Sequence, residues 1–598
     1  MESDHVTQRS TTTHPYEPSP VWMDSSACPA RIPPDTTGGS TGMHLDLRDG
    51  DPPERLETGI CVIGAGAAGI IAARRLLAAG CEVLLLERGG LDHEPEIAAL
   101  NAGASIGENY YDLEHARLSF FGGTTAIWGG RCAELDAIDL RRRAWVAHSG
   151  WPIEHADLAP YYREARALFG LGPSPVRPAD LREAGVPIPS FDPERLVTTT
   201  WSFDDRSDRF AFGGCGDLVR HPRCTVVTHA SVSELIPDVG GRALACLTAA
   251  SLSGHRLQVR ARHYLLAAGG IENARLLLAS RSVIPAGIGN AHDQVGRYFM
   301  EHPHSRGGQI VDGPAWTLLR IFAAKHRVRG ERVGLLLAAA PALQERLGLL
   351  NTSLAIAARR PAGDTEGWGK RLYLRARHGV APTRIGRRLW QATKGASRGL
   401  QRWLDPARPW LFHKLGRLEL ALVVRAEQSP HPDSRVLLDR ERDALGVPRI
   451  RLDWRTSPRD AESVAGLVQT LGEETERLGL GRTQMAPWLR EPWQGWRTDP
   501  LISAHPIGGY HHMGTTRMAV DPRHGVTDGE GRVHGMANLF VAGSSLFPTS
   551  GWANPTLTIA ALALRTADRI VASGSVSYST ARPELAPLES ALPAAARR

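Results

Sequence analysis

The feature that most constrains this chain is one stretch of sequence, TGICVIGAGAAGIIAARRLLAAGCEVLLLERG, from Thr58 to Gly89. An apolar run meets a glycine-rich turn, passes into a helical run and returns to a second apolar run that ends on an acid. In such a unit the first glycine permits the turn, the second lets backbone approach a pyrophosphate, and the third lets helix and strand pack closely. The pattern predicts a dinucleotide-binding βαβ unit. We expect cofactor contacts from Gly64, Gly66, Ala67, Ala68, Gly69, Glu87 and Arg88.

The chain has 598 residues, more than one hydrophobic core usually serves, so two domains are expected. Its 42% hydrophobic and 22% charged residues are typical of a globular, soluble protein. Seven cysteines without CxxC spacing indicate reduced core residues rather than disulfides or a zinc site. The first residues lack a basic segment followed by an apolar run, and we find no membrane-spanning segment. We therefore expect a cytoplasmic location.

The order of the patterns predicts a discontinuous arrangement of two domains. A second strand, glycine turn and helix recur at 264–280, so the cofactor domain is assembled from separated segments. Alternating apolar runs elsewhere are typical of strands in a substrate-domain sheet, and the termini are rich in residues typical of disorder. The predicted fold class is α/β, a discontinuous Rossmann-type domain with a second α+β domain built on an antiparallel sheet. The predicted boundaries are a disordered arm at 1–55, the cofactor domain at 56–150, 222–300 and 501–573, the substrate domain at 151–221 and 301–500, and a disordered tail at 574–598.

A strongly basic segment interrupts the second domain. Between Lys370 and Arg417, 13 Lys and Arg residues stand against one acid, with three tryptophans among them. A membrane-surface helix, a site for an anionic partner and a lid over a pocket all remain open. We favour a solvated helical insertion at 365–417 whose tryptophans pack inward. We recognise no nucleic-acid-binding module, so no nucleic acid partner is expected.

Further small-residue turns suit a backbone pressed against a flat ligand or a phosphate. The segment from Phe120 to Arg131 holds two Gly-Gly pairs around small hydroxyl residues. Later strands also end in small residues, and the last helix opens with Asn-Pro-Thr. The Gly-Gly loop and the turn after the strand at 264–266 predict cofactor contacts at Gly122, Gly123, Thr124, Trp128, Gly129, Ala268 and Gly269.

These motifs, with LLAAGGIENARLLLAS and HHMGTTRM … NLFVAGSSLFPTSGWANPTLT, together resemble the glucose–methanol–choline (GMC) family of FAD-dependent alcohol oxidoreductases. The resemblance runs from about Thr58 to Ile570 and is weakest over 301–500. It implies FAD rather than NAD, in a Rossmann-type domain over which a separate sheet domain closes the substrate site. The ending looks most like the sugar-oxidising branch, which includes pyranose oxidase and bacterial sugar and aminoglycoside dehydrogenases. Pyranose oxidase carries a flavin-linking His in its Gly-Gly loop; the matching residue here is Ile127, so we expect non-covalent FAD. The family resemblance implies further cofactor contacts at Val232, Gly543, Ser544, Asn554, Pro555 and Thr556.

The resemblance also implies a catalytic pair, His511 and Asn554. A neutral imidazole, with an unperturbed pKa of about 6.5, suits removal of a hydroxyl proton. A neutral amide can hold the reacting oxygen without competing for that proton. Each has a structural alternative, because His511 could be a core histidine and Asn554 could cap the helix with Pro555 at its first position. A metal site at His505, His511 and His512 lacks a carboxylate or thiol at ligand spacing, so no metal is expected.

The chain is thus expected to be an enzyme, an FAD-dependent dehydrogenase or oxidase. The resemblance implies oxidation of a hydroxyl group of a sugar, glycoside or amino sugar, with an aminoglycoside-type intermediate favoured. Proton abstraction and hydride transfer to flavin N5 would accomplish it. The electron acceptor is oxygen or another carrier. A non-sugar alcohol as substrate, and a non-redox lyase or isomerase of the same fold, remain alternatives.

Overall fold

The computed structural model describes residues 43–206, 208–361, 383–389, 392–393, 396, 404–498 and 510–573. Within these ranges the strands are β1 Met43–Asp46, β2 Arg55–Ile63, β3 Val83–Leu86, β4 Gly103–Ser105, β5 Arg131–Cys132, β6 Leu196–Phe203, β7 Cys224–Thr228, β8 Ser231–Pro237, β9 Leu244–Ala250, β10 Arg256–Leu266, β11 His304–Val311, β12 Lys325–Val328, β13 Glu331–Ala339, β14 Ser353–Arg359, β15 Glu419–Arg425, β16 Arg435–Arg442, β17 Pro448–Asp453, β18 Arg482–Met485 and β19 Leu539–Val541.

The α-helices of the same ranges mostly connect or cover these strands. They are α1 Ala67–Ala78, α2 Pro95–Ala98, α3 Ala137–Leu140, α4 His155–Leu168, α5 Pro178–Glu183, α6 Gly216–Val219, α7 Glu272–Ala279, α8 Ala315–Leu318, α9 Pro341–Leu347, α10 Ala407–Lys414, α11 Pro458–Arg477 and α12 Thr556–Ala572. A further helical stretch covers 384–389.

The first sheet is mainly parallel and carries the glycine-rich turn. Its strand order is β1-β7-β3-β2-β10-β9-β8, and β19 pairs with β10 in parallel. All four residues of β3 are buried, as are the last four of β2, which is the continuous apolar pattern of strands covered on both faces. Helix α1 packs against α12, and α12 packs against α4. The strands and helix predicted around the glycine-rich turn are confirmed.

The predicted disordered arm is wrong at its C-terminal end. Met43–Asp46 forms an edge strand of the first sheet, in parallel register with β7 from Met43 opposite Thr225. The four residues Met-His-Leu-Asp give no recognisable apolar run, and backbone hydrogen bonds to β7 hold them in place. The rest of the arm, residues 1–42, and the predicted tail, 574–598, lie outside the described residues.

The second sheet is antiparallel, in the order β18-β11-β15-β14-β13-β6-β5 with β12 beside β13. Alternation along its strands gives it two different faces. The face with Leu422 of β15 and Leu354 of β14 packs in one core with Val464 and Leu467 of α11. The opposite face carries Trp201 of β6, which belongs to the core of the first sheet. This second face therefore points towards the parallel sheet.

A small third sheet, β16-β17-β4, completes the fold. Its strand β4 and the strand β5 of the second sheet both come from the segment 56–150, yet they pair with strands of the other predicted domain. The α/β fold class, with a Rossmann-type domain and a substrate domain, is confirmed. The assignment of whole segments to two domains stays a prediction.

The basic segment is described only in part. In α10 the Trp410 ring lies 5.7 Å from that of Trp316, and Arg387 in the stretch 384–389 lies 2.9 Å from the Asp92 carboxylate. Trp390 and Trp403 lie outside the described residues, so inward packing of all three tryptophans stays a prediction. No helix in the described ranges has the length and apolar character needed to cross a bilayer.

The cysteines that the structure describes are free and buried: Cys61, Cys81, Cys132, Cys215, Cys224 and Cys246. Their predicted role as reduced core residues is confirmed for these six. Cys28 lies outside the described residues.

Candidate active site

The glycine-rich turn lies between β2 and α1 at the carboxyl edge of the parallel strands. Gly64 has φ +104°, and a Cβ there would stand 2.7 Å from the Ala267 carbonyl oxygen. A Cβ on Gly69 would stand 1.9 Å from the Gly64 carbonyl oxygen. A Cβ on Gly66 would meet no described atom within 4 Å. Two glycines thus serve the chain's own packing, and Gly66 faces open space beside the unpaired N–H groups of the α1 start.

Glu87, at the end of β3, supports this turn directly. Its carboxylate accepts hydrogen bonds from the backbone N–H of Ala65 at 2.9 Å and of Gly89 at 3.1 Å. Each oxygen keeps a further lone pair, so the expected ribose contact stays a prediction. The neighbouring Arg88 donates to the Asn101 side chain at 2.8 Å and pairs with the Glu272 carboxylate. Arg88 is therefore committed to a buried ion-pair network.

The Gly-Gly loop meets the first turn. Gly123 begins a 3-10 turn that ends at Ile127, and a Cβ on Gly123 would stand 3.5 Å from the Gly66 Cα. The Thr124 hydroxyl accepts the Leu118 N–H at 3.1 Å, so this side chain holds the loop. The Ile127 side chain is 39% exposed.

The other expected cofactor residues follow or flank the parallel strands. Gly269 follows β10 with φ +93°, and a Cβ there would meet no described atom within 4 Å, while Gly543 follows β19 with φ +112°. Ser544 donates to the His512 carbonyl oxygen at 2.6 Å and so holds the histidine-containing turn. Among the remaining candidates, Val232 and Pro555 are buried, while Trp128 and Thr556 are half-buried and Gly129 is exposed. Gly122 and Ala268 lie in the same turns as Gly123 and Gly269.

His511 and Asn554 come together although 43 positions separate them, with His511 Nε2 3.1 Å from Asn554 Nδ2. His511 Nδ1 lies 2.9 Å from Nδ1 of a third residue, His302, whose Nε2 lies 2.9 Å from the Gly551 carbonyl oxygen. A carbonyl only accepts, so His302 Nε2 carries the proton and its Nδ1 is the acceptor. His511 must then donate from Nδ1 and keep its lone pair on Nε2. The network thus assigns the tautomer of a general base.

The capping alternative for Asn554 is wrong in this structure. Helix α12 begins at Thr556 with Pro555 as its N-cap, and no side chain caps it. The Asn554 amide instead donates to His511, and its Oδ1 is buried without a hydrogen-bond partner among the described residues. That oxygen is free to accept a hydrogen bond from a ligand. His505, the third member of the metal alternative, lies outside the described residues.

Two family models and several curated proteins match this chain. Residues 59–286 match the model of the FAD dependent oxidoreductase family and residues 430–563 match that of the GMC oxidoreductase family. The chain is 27% identical to paromamine 6'-oxidase of Streptomyces fradiae over 87% of this chain and 92% of that protein. It is 28% identical to 6'''-hydroxyparomomycin C oxidase of Streptomyces lividus over 93% of this chain and 97% of that one.

Together these matches make the chain similar to the GMC oxidoreductases. It shares its fold with pyridoxine 4-oxidase from Mesorbium loti, with a TM-score of 0.52 at 18% identity, over 86% of this chain and 99% of that one. It is an FAD-dependent oxidoreductase. The residues present fit the cofactor. At Gly66 and Gly269 no described atom lies within 4 Å of the position that a Cβ would take, so a ligand can approach the backbone there, and the α1 start presents unpaired N–H groups.

Burial sets the protonation state of the histidine pair in this enzyme. Burial, and then the charges of His302 and Arg425, hold the pKa of His511 well below its ordinary value. Burial, and then Arg425, lower the pKa of His302 to about 4. Both imidazoles are therefore neutral near neutral pH, as the tautomer assignment requires.

Sequence reasoning missed Glu301, which lies beneath the pair. Its side chain is 0% exposed, accepts the His511 backbone N–H at 2.9 Å and bonds the Tyr110 hydroxyl. Burial raises the pKa of Glu301 to about 8, so the carboxyl is mostly protonated at neutral pH. The His512 Nε2 lies 3.6 Å from the Glu301 carboxylate and has no hydrogen-bond partner among the described residues. The only sequence signal for Glu301 and His302 was their position just before a predicted sheet.

Proposed function

We propose that this enzyme oxidises a hydroxyl group of a sugar, glycoside or amino sugar, with an aminoglycoside-type intermediate favoured. The observation that carries the proposal is the lone pair on His511 Nε2, held in place by the His302 and Asn554 contacts. The two Streptomyces relatives support the substrate class, since their names give aminoglycosides as the molecules that they oxidise. The electron acceptor is oxygen or another carrier.

In this proposal each residue has one task. His511 Nε2 takes the hydroxyl proton, and His302 holds the imidazole in the tautomer that can take it. In the structure the Asn554 amide donates to His511 Nε2; when substrate binds, the hydroxyl replaces the amide as the donor to Nε2, and the Asn554 amide donates to the substrate oxygen instead. Bound FAD supplies the hydride-accepting chemistry. The turns at Gly64–Gly69 and Gly122–Gly129 would hold it, non-covalently because Ile127 offers no nucleophile.

Anaerobic reduction of the bound flavin tests the proposal. Purified holoenzyme is mixed with neutral sugars, glycosides, amino sugars and simple alcohols, and the absorbance of oxidised flavin is followed. We expect polyhydroxylated compounds to bleach the flavin much faster than simple alcohols. Faster bleaching by simple alcohols would favour a non-sugar substrate. Product formation without any bleaching would favour a lyase or isomerase.

A further inference from the structure

The inner face of the antiparallel sheet carries a group of basic and donor side chains that the proposed mechanism does not use. Five residues, which we call the basic wall, make up this group: Arg131, Trp201, His304, Ser353 and Arg425. His304 of β11 and Ser353 of β14 are the direct cross-strand partners of Arg425 on its two sides. Directly paired residues project from the same face of a sheet. That face is opposite the one packed on α11.

The wall begins next to the catalytic histidine. His302, whose ring contacts His511, precedes His304 by two residues, and residues two apart project to the same side about 7 Å from each other. The positive charges of Arg425 and Arg131 also contribute to the lowered pKa of His511. A molecule that places a hydroxyl at His511 can therefore reach the wall with a neighbouring substituent.

Two guanidinium groups converge on one indole ring in this wall. The Cζ atoms of Arg131 and Arg425 lie 4.9 and 5.1 Å from the centre of the Trp201 ring. Stacking of this kind uses the flat face of a guanidinium and leaves its edge N–H groups available for hydrogen bonds. The arrangement therefore brings two guanidinium groups, with the donors on their edges, to one indole ring.

These donors have no acceptors among the described residues. The buried atoms without a hydrogen-bond partner include Arg131 Nε, Trp201 Nε1, His304 Nδ1, Ser353 Oγ, and Nε and Nη1 of Arg425. Arg425 is only 6% exposed. Buried polar groups are almost always paired, so this concentration of unpaired donors on one face indicates a missing acceptor-rich ligand.

The nearby carboxylates of the described residues are already engaged. Glu427 accepts from the Arg143 guanidinium at 2.8 Å and from the Asn351 N–H at 2.7 Å, and Glu301 bonds Tyr110 and the His511 backbone. The pKa values of two buried arginines, Arg143 and Arg425, shift in opposite directions. Glu427 raises the pKa of Arg143 against its burial, whereas burial and then Arg131 lower the pKa of Arg425 to about 9. Arg425 behaves as a buried cation that has no counter-ion in the part of the chain that the structure describes.

We propose that the basic wall is a subsite for an anionic group of the substrate, a carboxylate or a phosphate carried by the molecule whose hydroxyl reaches His511. The inference rests on the proposed function and narrows its substrate class. Two guanidinium forks, a hydroxyl and an indole N–H match the several acceptor lone pairs of an oxyanion. The wall would repel the ammonium group of an amino sugar, so within the proposed substrate class it favours an acidic sugar or glycoside over an aminoglycoside.

The first test compares substrates of matched shape. Anaerobic flavin reduction is measured with a neutral glycoside, the corresponding uronate and the corresponding phosphate ester. We expect an anionic member to half-saturate the enzyme at a concentration about 10- to 100-fold below that of the neutral one, the usual worth of hydrogen bonds to a charged group. Preference for the uronate identifies a carboxylate, and preference for the ester identifies a phosphate. Equal or better use of the neutral glycoside overturns the proposal.

Variants of the basic wall test whether this wall is the cause of any preference for an anionic substrate. Arg425→Met should remove the preference, and Arg425→Lys, which keeps the charge but loses the fork, should retain part of it. Arg482→Met is the matched control, since it lies in the same sheet with a side chain 61% exposed. Should Arg425→Met fail to fold, Arg131→Met takes its place. Loss of FAD from Arg425→Met, together with an Arg131→Met variant that keeps both its FAD and the anion preference, would mean that Arg425 serves the cofactor, and would overturn the proposal.

A binding measurement separates this proposal from the proposed function. Inorganic phosphate and acetate are titrated into oxidised holoenzyme and followed by calorimetry and by the flavin absorbance. Binding of either anion that Arg425→Met weakens at least about tenfold, while Arg482→Met does not, supports the subsite even if no sugar reduces the flavin. If neither anion binds, or both bind Arg425→Met as well as wild type, the subsite is wrong even if neutral sugars are oxidised.

Discussion

Two regions of this molecule are proposed to bind by different means, the glycine-rich turn at Gly64–Gly69 and the site made of the histidine pair and the basic wall. The turn is contiguous in sequence and acts through backbone: Gly66 leaves open space beside the N–H groups of the α1 start. The second region brings side chains from β5, β6, β11, β14 and β15 to His511 and Asn554. A site made of backbone groups can therefore be predicted from residue spacing in the sequence. A site made of side chains from several strands cannot, because it forms only when those strands pair in the correct register.

The two regions also treat charge differently. The turn offers the partial positive charges of backbone dipoles, which suit the anionic cofactor that we expect there. The catalytic centre keeps its imidazoles neutral by burial, while the wall beside it holds full positive charges with no described carboxylate against them. Substitutions in the turn should therefore change the amount of bound FAD, whereas substitutions at the side-chain site should change the rate of flavin reduction.

The largest effect is expected at the backbone site. Gly66→Val places a branched side chain in the open space of the turn, so FAD binding should be abolished while the chain stays folded. The measurement is the flavin content of purified protein, with circular dichroism to confirm folding. Gly213→Val is the control, because a Cβ there also meets nothing within 4 Å but lies in an exposed turn. Normal flavin content in Gly66→Val would remove the turn from cofactor binding.

Prediction from sequence succeeded where the signal was local. The strand ends at Ile63 and Leu86 and the three glycines follow from spacing alone, because one short segment determines the geometry. His511 and Asn554 were found through family resemblance. Arg425 and Ser353 could not be found, because only the antiparallel register makes them neighbours. Met43–Asp46 was missed because an edge strand of four residues is held by backbone hydrogen bonds, which leave no side-chain pattern.

The next effect in size concerns the side-chain site. His511→Ala should leave FAD bound and slow flavin reduction by substrate roughly 10²–10⁴-fold, the usual contribution of a positioned base. Stopped-flow absorbance under anaerobic conditions measures it. His524→Ala, at an exposed position of the same segment, should reduce at the wild-type rate. A loss of flavin from His511→Ala would show that the two regions are not separable.

A smaller effect is expected from substitution of His302, which holds the His511 imidazole in place and does not itself react with substrate. His302→Leu removes the acceptor for the His511 Nδ1–H, so the base can adopt either tautomer and flavin reduction should slow roughly 10- to 100-fold. His302→Asn offers a carbonyl oxygen to the same N–H and should recover most of the rate. Equal rates for the two variants would mean that His302 only fills space, since both are smaller than histidine.

The smallest effect tests whether the centre beneath His511 is kept neutral. The pKa of Glu301 is raised from an ordinary 4.5 to about 8 by burial, so the folded protein retains a proton that the unfolded chain has lost. The stabilisation is full below about pH 4.5 and is lost as the pH rises towards 8. Glu301→Gln cannot titrate. The free energy of unfolding of wild type, relative to this variant, should fall by up to about 1.4 kcal/mol per pH unit across that window.

Urea unfolding of both holoenzymes from about pH 5 to about pH 9 measures this difference, and the comparison with Gln cancels every other titrating group. Glutamine preserves an oxygen for the His511 backbone N–H, so the contact that holds the turn survives the substitution. Glu441→Gln, on the exposed end of β16, is the control and should give a difference that does not vary with pH in this way. If the difference in the free energy of unfolding between wild type and Glu301→Gln is also independent of pH, the Glu301 carboxyl is ionised over the whole measured pH range. The centre would then carry a negative charge beside the cationic wall, and the contrast between a neutral catalytic pair and a charged wall would have to be abandoned.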